Sequence, residues 1–439
     1  MGRILLERVK HTRMFLRQDQ LAKTFEEFDT QCMVLNEEQR LEKYRTMLES
    51  PFRFFRGSAY LFYYDMTKTP SIFHTADAKP TWIQGDMHMD NFGAFQNEKG
   101  DIVYDVNDFD EGYVGSYLYD VIRMSVSIAL YMEEQGLQKD AQETAIGHFL
   151  RGYINQLKRF QRKQEDPVTL TFTKSNTKGP IKKVLKKLEK RQRSHFLQDI
   201  THINEDGKRV FLWNEEVQAV STEQFAAIKK ALPNYAIKDI AIKYGSGTAS
   251  IGLKRYYILV DGETDALGVE DLVLEMKEVR TAIPAYFLPY NETFWTHYEH
   301  QGARVVETQK AMHHLEDPHL AYVTMDGQEY YIRERSPYKK KVKPKNYVDL
   351  DDYFVTTSIM GQIAAKIHAR ADIDYSDVFT YDSEEEILKA IGKHQDLFIE
   401  STTLQAMHYK ELVYSDYELF KEWVDETFAN AADTSAVYS

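Results

Sequence analysis

One stretch, Gln84 to Asp120, limits most tightly what this chain can fold into. Asp86 is followed five residues on by Asn91, and Asp108 sits in Asn107-Asp-Phe-Asp110 after a short alternating run from Asp101 to Val106. Such alternation predicts strand, so the stretch reads as a loop, a hairpin and a second loop, each ending in carboxylate or amide oxygens. Oxygen donors that converge without cysteine suit a hard divalent cation such as magnesium, which keeps several waters and takes one or two carboxylates plus substrate phosphates. The pattern points to phosphoryl chemistry.

A chain of 439 residues is enough for one large or two ordinary domains at about 100–200 residues each. With 43% hydrophobic and 13% aromatic residues it can bury a sizeable core. No apolar run reaches the roughly 20 residues a membrane span needs, and the first residues carry neither a signal-peptide pattern nor, at position 6, the Ser or Thr of a myristoylation signal. The single Cys32 cannot form an internal disulfide, which leads us to expect a reducing, cytoplasmic setting and a small buried hydrophobe. A formal net charge of −13 argues against a nucleic-acid coat. Charge is locally reversed from Lys158 to Arg193, where Ile181, Val184, Leu185 and Leu188 recur at helical spacing on a basic helix. That helix is expected to be a solvated face, with recognition of an anionic substrate as the alternative.

Residues 3 to 50 read as helical and stop at Ser50-Pro51. Phe52 to Tyr64 is an aromatic core segment, in which Arg56 beside Gly57 is either a surface charge or a phosphate holder. Val121–Met132 and Thr144–Phe160 read as helices, with Asp120 either capping the first or tethering the loop beneath it. Asn204 to Val220 reads as short strands around Gly207. From Ile237 the texture changes to three alternating strands. The first two are joined by the glycine-rich turn Gly245 to Gly252, and the third carries Lys277. Glycines there let backbone N–H groups approach phosphate closely. Asn291 to His314 reads as helix, Tyr330 onward as strand followed by the basic patch Lys339, Lys340, Lys341, Lys343 and Lys345. Asp351 to Arg370 reads as an amphipathic helix, the remainder to about Ala431 as helical, and Ala432 to Ser439 as a frayed tail.

These residues resemble the protein kinase-like superfamily in its small-molecule branch of aminoglycoside and choline kinases. Gly85-Asp86-Met-His88-Met-Asp-Asn91 is similar to that branch's catalytic loop, and Val106-Asn-Asp108-Phe-Asp110 to its metal-binding loop. The chain also resembles the bacterial family catalogued as domain of unknown function 2252. The landmarks are Ser50 to Gly57, Gly85 to Gly93, Asn107 to Glu111, Gly247 to Gly252, Met276 to Glu278, Arg304 to Glu307 and Ala364 to Arg370. The resemblance implies an α+β, bilobal kinase-like fold with a small antiparallel-sheet lobe and a larger helical lobe. Because Asp86 precedes Lys277, reversing the order of an ordinary kinase, it implies circular permutation. The expected parts are residues 1–233 with the catalytic and metal loops, 234–345 as the small nucleotide-binding lobe, and 346–439 returning to the large lobe.

By the same resemblance Asp86 accepts or orients the proton of an attacking hydroxyl, and Asn91 and Asp108, with Asp110 as an additional ligand, hold magnesium on the phosphates of ATP. Lys277 binds the α- and β-phosphates with Glu307 positioning it, and Gly245, Gly247, Ser250 and Gly252 line the phosphate turn. His88 is either a second donor or a structural histidine, and Glu111 either a ligand or a turn residue. Two departures stand out: Gln84 occupies the place of the usual His, and Ala249 replaces the middle glycine. The leading expectation is a kinase with an unidentified small hydroxyl- or amine-bearing acceptor, with neither nucleic acid nor membrane as partner. A nucleotide-binding pseudokinase-like regulator is the alternative. A metallophosphoesterase ranks last, because the further Gly-Asp and Gly-Asn-His blocks of a two-metal site are missing. The sequence leaves the oligomeric state open.

Overall fold

The computed structural model describes residues 2–190, 193–245, 247, 250–262, 264–265, 268–269, 271–315, 317–336 and 338–434. The chain does not stay helical to residue 50. Helix α1 (Gly2–Glu27) runs into a π turn at Phe28–Cys32 and breaks, because Asp29 turns inward to a fully buried ion pair with Lys43. Asn36 then starts α2 (Glu37–Met47) with a reciprocal Asn36–Gln39 capping box. Ser50 caps α3 (Pro51–Gly57), whose Pro51 needs no N–H partner in the first turn, and α4 (Ala59–Met66) follows. The aromatic segment is therefore helical, and Phe54, Phe55, Tyr60, Phe62 and Tyr63 are core.

β1 (Thr81–Ile83) leads into the first oxygen-bearing loop. β2 (Phe92–Gln96) and β3 (Ile102–Val106) form the expected hairpin, and β4 (Tyr113–Gly115) returns to pair with β1. α5 (Leu118–Glu134) is buried on nearly every side and is the central helix of the larger core. α6 (Lys139–Gln161) follows, then α7 (Gly179–Leu188), which buries Ile181, Val184, Leu185 and Leu188 as their spacing predicts. α8 (Arg193–Ile200) leads to a hairpin of β5 (Thr201–Ile203) and β6 (Arg209–Phe211) around Gly207, whose φ of 73° suits glycine.

The rest of the strand-rich region comprises β7 (Val217–Ala219), α9 (Thr222–Ala231), β8 (Ile237–Lys243), β9 (Arg255–Val260), a small pair β10 (Thr264–Asp265) and β11 (Gly268–Val269), and β12 (Leu272–Glu278). Two helices, α10 (Glu292–His297) and α11 (Gln301–Met312), stand where one was expected, and β13 (Ala321–Met325) and β14 (Gln328–Glu334) complete a six-stranded antiparallel sheet ordered β13-β14-β12-β9-β8-β7. β7 and α9 precede the expected boundary at Asn234, yet Ile228 and Leu232 pack into the sheet's own core. Alternation divides β12 cleanly. Leu272, Leu274 and Met276 face that core, while Val273, Glu275 and Lys277 face the opposite side.

α12 (Leu350–Arg370), α13 (Ser383–Ile391) and α14 (Gln395–Thr434) finish the helical body; 435–439, most of the expected tail, lie outside the described residues. α6 and α12 cross so closely that a Cβ on Gly152 would sit 2.3 Å from the Ser358 carbonyl oxygen, and one on Gly361 2.1 Å from that of Phe149. Only glycine admits this approach. The architecture is mixed α+β, with small antiparallel sheets beside a large helical body. Among the described residues no helix is long and apolar enough to cross a membrane.

Candidate functional site

The loop after β1 is held from below. The backbone N–H groups of Gln84 and Gly85 donate to the two oxygens of buried Asp120, at 2.6 and 3.0 Å. His368 of α12 meets the same carboxylate at 3.2 Å, and its Nδ1 meets the Tyr153 hydroxyl at 2.7 Å. Asp120 is thus the tether, and α12 ends beside the start of this loop. Gly85 is required here: its φ is 86°, and a Cβ would lie 2.0 Å from the Glu111 carbonyl oxygen. Gln84, the residue in the expected histidine's place, reaches across to the second loop, donating from Nε2 to the Asp108 carbonyl at 2.6 Å.

Asp86 is held by an arginine. The Arg123 guanidinium, fully buried on α5, donates from Nε at 2.7 Å, and His88 lies 3.6 Å from the other carboxylate oxygen. Burial alone would push the Asp86 carboxyl up, but Arg123 and then His88 outweigh it and hold it at about 2. His88 is drawn down to about 4 by burial and then by Arg56, so it is neutral at pH 7. Its Nδ1 accepts from the Asp90 N–H at 3.2 Å, which assigns the ring proton to Nε2, towards Asp86.

The β2–β3 register brings the metal-ligand candidates together. Phe92 lies opposite Val106, and the ladder continues as the Asn107 N–H donates to the Asn91 carbonyl at 2.9 Å, so Asn91 and Asp108 flank one ladder end. Asn91 donates from Nδ2 to the Asp86 carbonyl at 2.8 Å, which commits its amide nitrogen and leaves its oxygen as the ligand candidate. Asp110 forms an ion pair with Lys277, its partner 167 residues along the chain. The Lys277 side chain is 4% exposed and that of Asp110 22%.

Asp108 is walled by protein but open to solvent. The wall, then Asp110, pushes its carboxyl above the usual range against Lys277 and Arg333, and solvent access moderates that push. Burial also works against charge on Asp110, but Lys277 and then Arg333 prevail and lower its pKa. One Asp110 oxygen is buried with no hydrogen-bond partner. Glu111 is raised to about 7 by burial and accepts the Ile283 N–H at 2.5 Å, a structural contact behind the loop.

Two expectations are corrected. Glu307 does not position Lys277; it accepts from the Tyr375 hydroxyl at 2.6 Å and from Lys310 at 3.2 Å. α11 instead turns Arg304 and Thr308 inward, Arg304 donating to the Gly112 and Arg280 carbonyls and Thr308 accepting from the Trp82 indole, which leaves Glu307 off that face. The glycine-rich turn is partly engaged in packing. Gly252, at φ 80°, lies against the α1–α2 connection, where a Cβ would be 2.6 Å from Leu35. Gly245 also has positive φ, at 66°, beside Glu216. The Ser250 N–H donates to the Gly247 carbonyl and its hydroxyl accepts from Arg255 at 3.4 Å, while Gly247 stands in open space. Ala249 lies outside the described residues.

A cavity of about 350 Å³ adjoins this site, lined by Asn107, Phe109, Arg255, Glu275, Arg333 and Lys339 among others. Its ceiling is the charged face of the sheet, where Arg333 donates to Glu275 at 2.7 Å and Arg255 lies 3.3 Å from it. Asp86, Asp108 and Lys277 are not among its lining residues. Among the described residues no three His, Cys, Asp or Glu side chains are grouped to hold a metal. Magnesium needs less, because one or two carboxylates suffice when phosphates and waters complete its shell. The unpartnered Asp110 oxygen and the proton-retaining tendency of Asp108 mark an excess of negative charge that a cation would relieve, so Asn91, Asp108 and Asp110 fit that ion.

Arg123 was missed, although an arginine within the apolar run Val121–Met132 is itself a signal, since a charge there must find a partner. The facing of Asp110 by Lys277 had no local signal. A family model described as an uncharacterized protein conserved in bacteria (DUF2252) matches residues 36–423. No curated protein and no solved structure matches the chain.

Proposed function

The chain belongs to the DUF2252 family of proteins conserved in bacteria, and we propose that this member is an ATP- and magnesium-dependent phosphotransferase acting on a small hydroxyl- or amine-bearing substrate. The observation that carries the reading is the Lys277–Asp110 pair. It brings a lysine of the six-stranded sheet against the Asn-Asp-Phe-Asp loop, whose Asp108 lies in the fields of both Lys277 and Asp86. A bilobal, circularly permuted kinase-like fold is supported by the chain order within the sheet. A glycine-rich hairpin, a lysine on the third long strand, two helices and two more strands succeed one another from β8 to β14, in keeping with a kinase's Gly-rich loop and β3 lysine. The contact of His368 with Asp120 supports the join that permutation requires.

In this reading Lys277 leaves Asp110 to meet nucleotide phosphates, and Asn91, Asp108 and Asp110 hold magnesium, which neutralises phosphate charge when bound. Asp86, kept ionised by Arg123, orients the acceptor. The acceptor oxygen or nitrogen bonds to the terminal phosphorus while the bond to the bridging oxygen breaks. ADP departs with that electron pair, and the acceptor's proton passes out beside Asp86 to solvent. A carboxylate at about 2 is a weak base, but a loose phosphoryl-transfer transition state depends mainly on alignment and charge neutralisation.

One observation favours the pseudokinase-like alternative: in this structure both central groups are engaged, Asp86 by Arg123 and Lys277 by Asp110. Incubation with magnesium and ATP, followed by mass spectrometry of the protein and of an acceptor panel, separates the two. Phosphoryl transfer lost in Asp86→Ala supports the enzyme. Nucleotide binding without transfer to any acceptor supports the regulator, and an adenylyl adduct would replace phosphoryl by nucleotidyl transfer.

A further inference from the structure

Beyond β14, Lys340 forms an isolated antiparallel bridge with Ala94 of β2. The Ala94 N–H donates to the Lys340 carbonyl at 2.7 Å, and the Lys340 N–H to the Ala94 carbonyl at 2.9 Å. Successive side chains of extended backbone alternate sides, so Lys339 and Lys341 project together, opposite Lys340. Lys339 lines the cavity, and Lys341 is half-buried. Among the described residues neither ammonium has a hydrogen bond or an ion pair.

The groups around them explain why this is unusual. Lys341 lies in the fields of Asp90, Arg56 and Asp108, and Lys339 in those of Arg333, Glu275, Asp108 and Lys341. The nearby acids are largely engaged elsewhere: Glu275 by Arg333 and Arg255, and Asp90 by Arg56 at 2.7 Å. Arg56 keeps a buried Nε with no partner. The surrounding protein and then Arg333 draw Lys339 down to about 8 although its tip is open to solvent, and Lys341 is lowered too, first by its surroundings. Lys341 is half-buried without a partner, and an anion would offset the cost of holding an ammonium there while drawing in the solvent-open Lys339. Arg56, paired with Asp90 and acting on both His88 and Lys341, puts Lys341 at the Asp86 end of the site, while Lys339 lines the cavity beneath the sheet.

We infer that Lys341, Lys339 and Arg56 seat an anionic group, phosphate or carboxylate, of the acceptor, so that the substrate is an alcohol or amine that also carries negative charge. This rests on the phosphotransferase reading. The basic patch that begins at Lys339 is then a recognition element.

The test uses the full chain saturated with magnesium and a non-hydrolysable ATP analogue, titrated calorimetrically with inorganic phosphate and, separately, with succinate. The expected result is that at least one anion binds beside the analogue, and the arm that binds distinguishes phosphate from carboxylate. Lys341→Gln should weaken that anion about tenfold or more, as for loss of one charged hydrogen bond, and shift analogue affinity by less than about twofold. Lys341→Arg should recover most of the anion affinity. If Lys341→Gln fails to fold, Lys339→Gln serves the same comparison. Anion binding unchanged in both Gln variants, or displaced by the analogue, overturns the seat. Analogue binding with neither anion bound overturns the anionic class alone. An anion that binds where the analogue does not overturns the phosphotransferase reading and, with it, the acceptor assignment.

Discussion

The pairing of Lys277 with Asp110 can be tested without knowing any ligand, by a double-mutant cycle. A charged hydrogen bond contributes about 1.5–3 kcal/mol, and breaking a fully buried pair costs about 3–5 kcal/mol. Here the ammonium side is 4% exposed and the carboxylate side 22%. Water can therefore reach the stranded carboxylate more readily than the stranded ammonium. Lys277→Met is expected to cost about 1–2 kcal/mol and Asp110→Ala about 2–3 kcal/mol, with a coupling of about 1–2 kcal/mol once solvent screening is allowed for. Urea unfolding of the wild type, both single variants and the double variant at pH 7 supplies the four free energies. Additivity within about 0.5 kcal/mol would exclude a direct Lys277–Asp110 interaction, because residues without contact are expected to add. Lys277→Met proving the costlier single change would refute the ranking drawn from solvent access.

Other expectations reach further from the pair. Gly361→Ala should destabilise by about 1–3 kcal/mol or more despite alanine's better helix propensity, because its Cβ meets the Phe149 carbonyl, whereas Gly136→Ala meets no atom within 4 Å and loses only through its φ of 76°; thermal melts should rank them in that order. Asp120→Ala removes the acceptor for the Gln84 and Gly85 N–H groups and for His368, and should speed amide exchange at residues 84 and 85 relative to the β2–β3 hairpin. Asp372, inaccessible to solvent and raised to about 8 by burial against the Ser383 and Asp374 N–H groups, keeps its proton in the fold between about pH 4 and 8 while the unfolded chain releases it. Its contribution is full below the unfolded pKa and is lost as pH rises through the folded one, by up to about 1.4 kcal/mol per unit. Asp372→Asn should flatten stability over that window, and an unchanged pH profile would contradict this assignment.

What could be read from the sequence depended on how local the cause was. The β2–β3 hairpin and the two loops around it follow from alternation and from short-range spacing, and the oxygen donors keep their places because backbone register fixes Asn91 against Asn107. The alternation of β12 likewise marked Lys277 as one of a set facing away from the apolar core. Glu307 was misread because the inward face of α11 is selected by distant partners: the Gly112 and Arg280 carbonyls take Arg304, and Trp82 takes Thr308. The break after α1 depends on Asp29 meeting Lys43, although the Asn36–Gln39 capping pair was legible locally. β7, three residues long, had too little alternation to join the sheet on paper. Lys339 and Lys341 were visible as charge, but only the bridge from Lys340 to Ala94 turns them to one side.

In the proposed reading the Asn-Asp-Phe-Asp loop and the Lys277 strand together make one magnesium-dependent nucleotide site. Calorimetric titration of the full chain with ATP, with and without magnesium, in the wild type, Asp108→Ala and Lys277→Met, addresses it most directly. ATP binding is expected to strengthen markedly with magnesium, to lose that magnesium dependence in Asp108→Ala, and to weaken about tenfold or more in Lys277→Met. No ATP binding in a folded wild type, or binding indifferent to magnesium and to both substitutions, would contradict it.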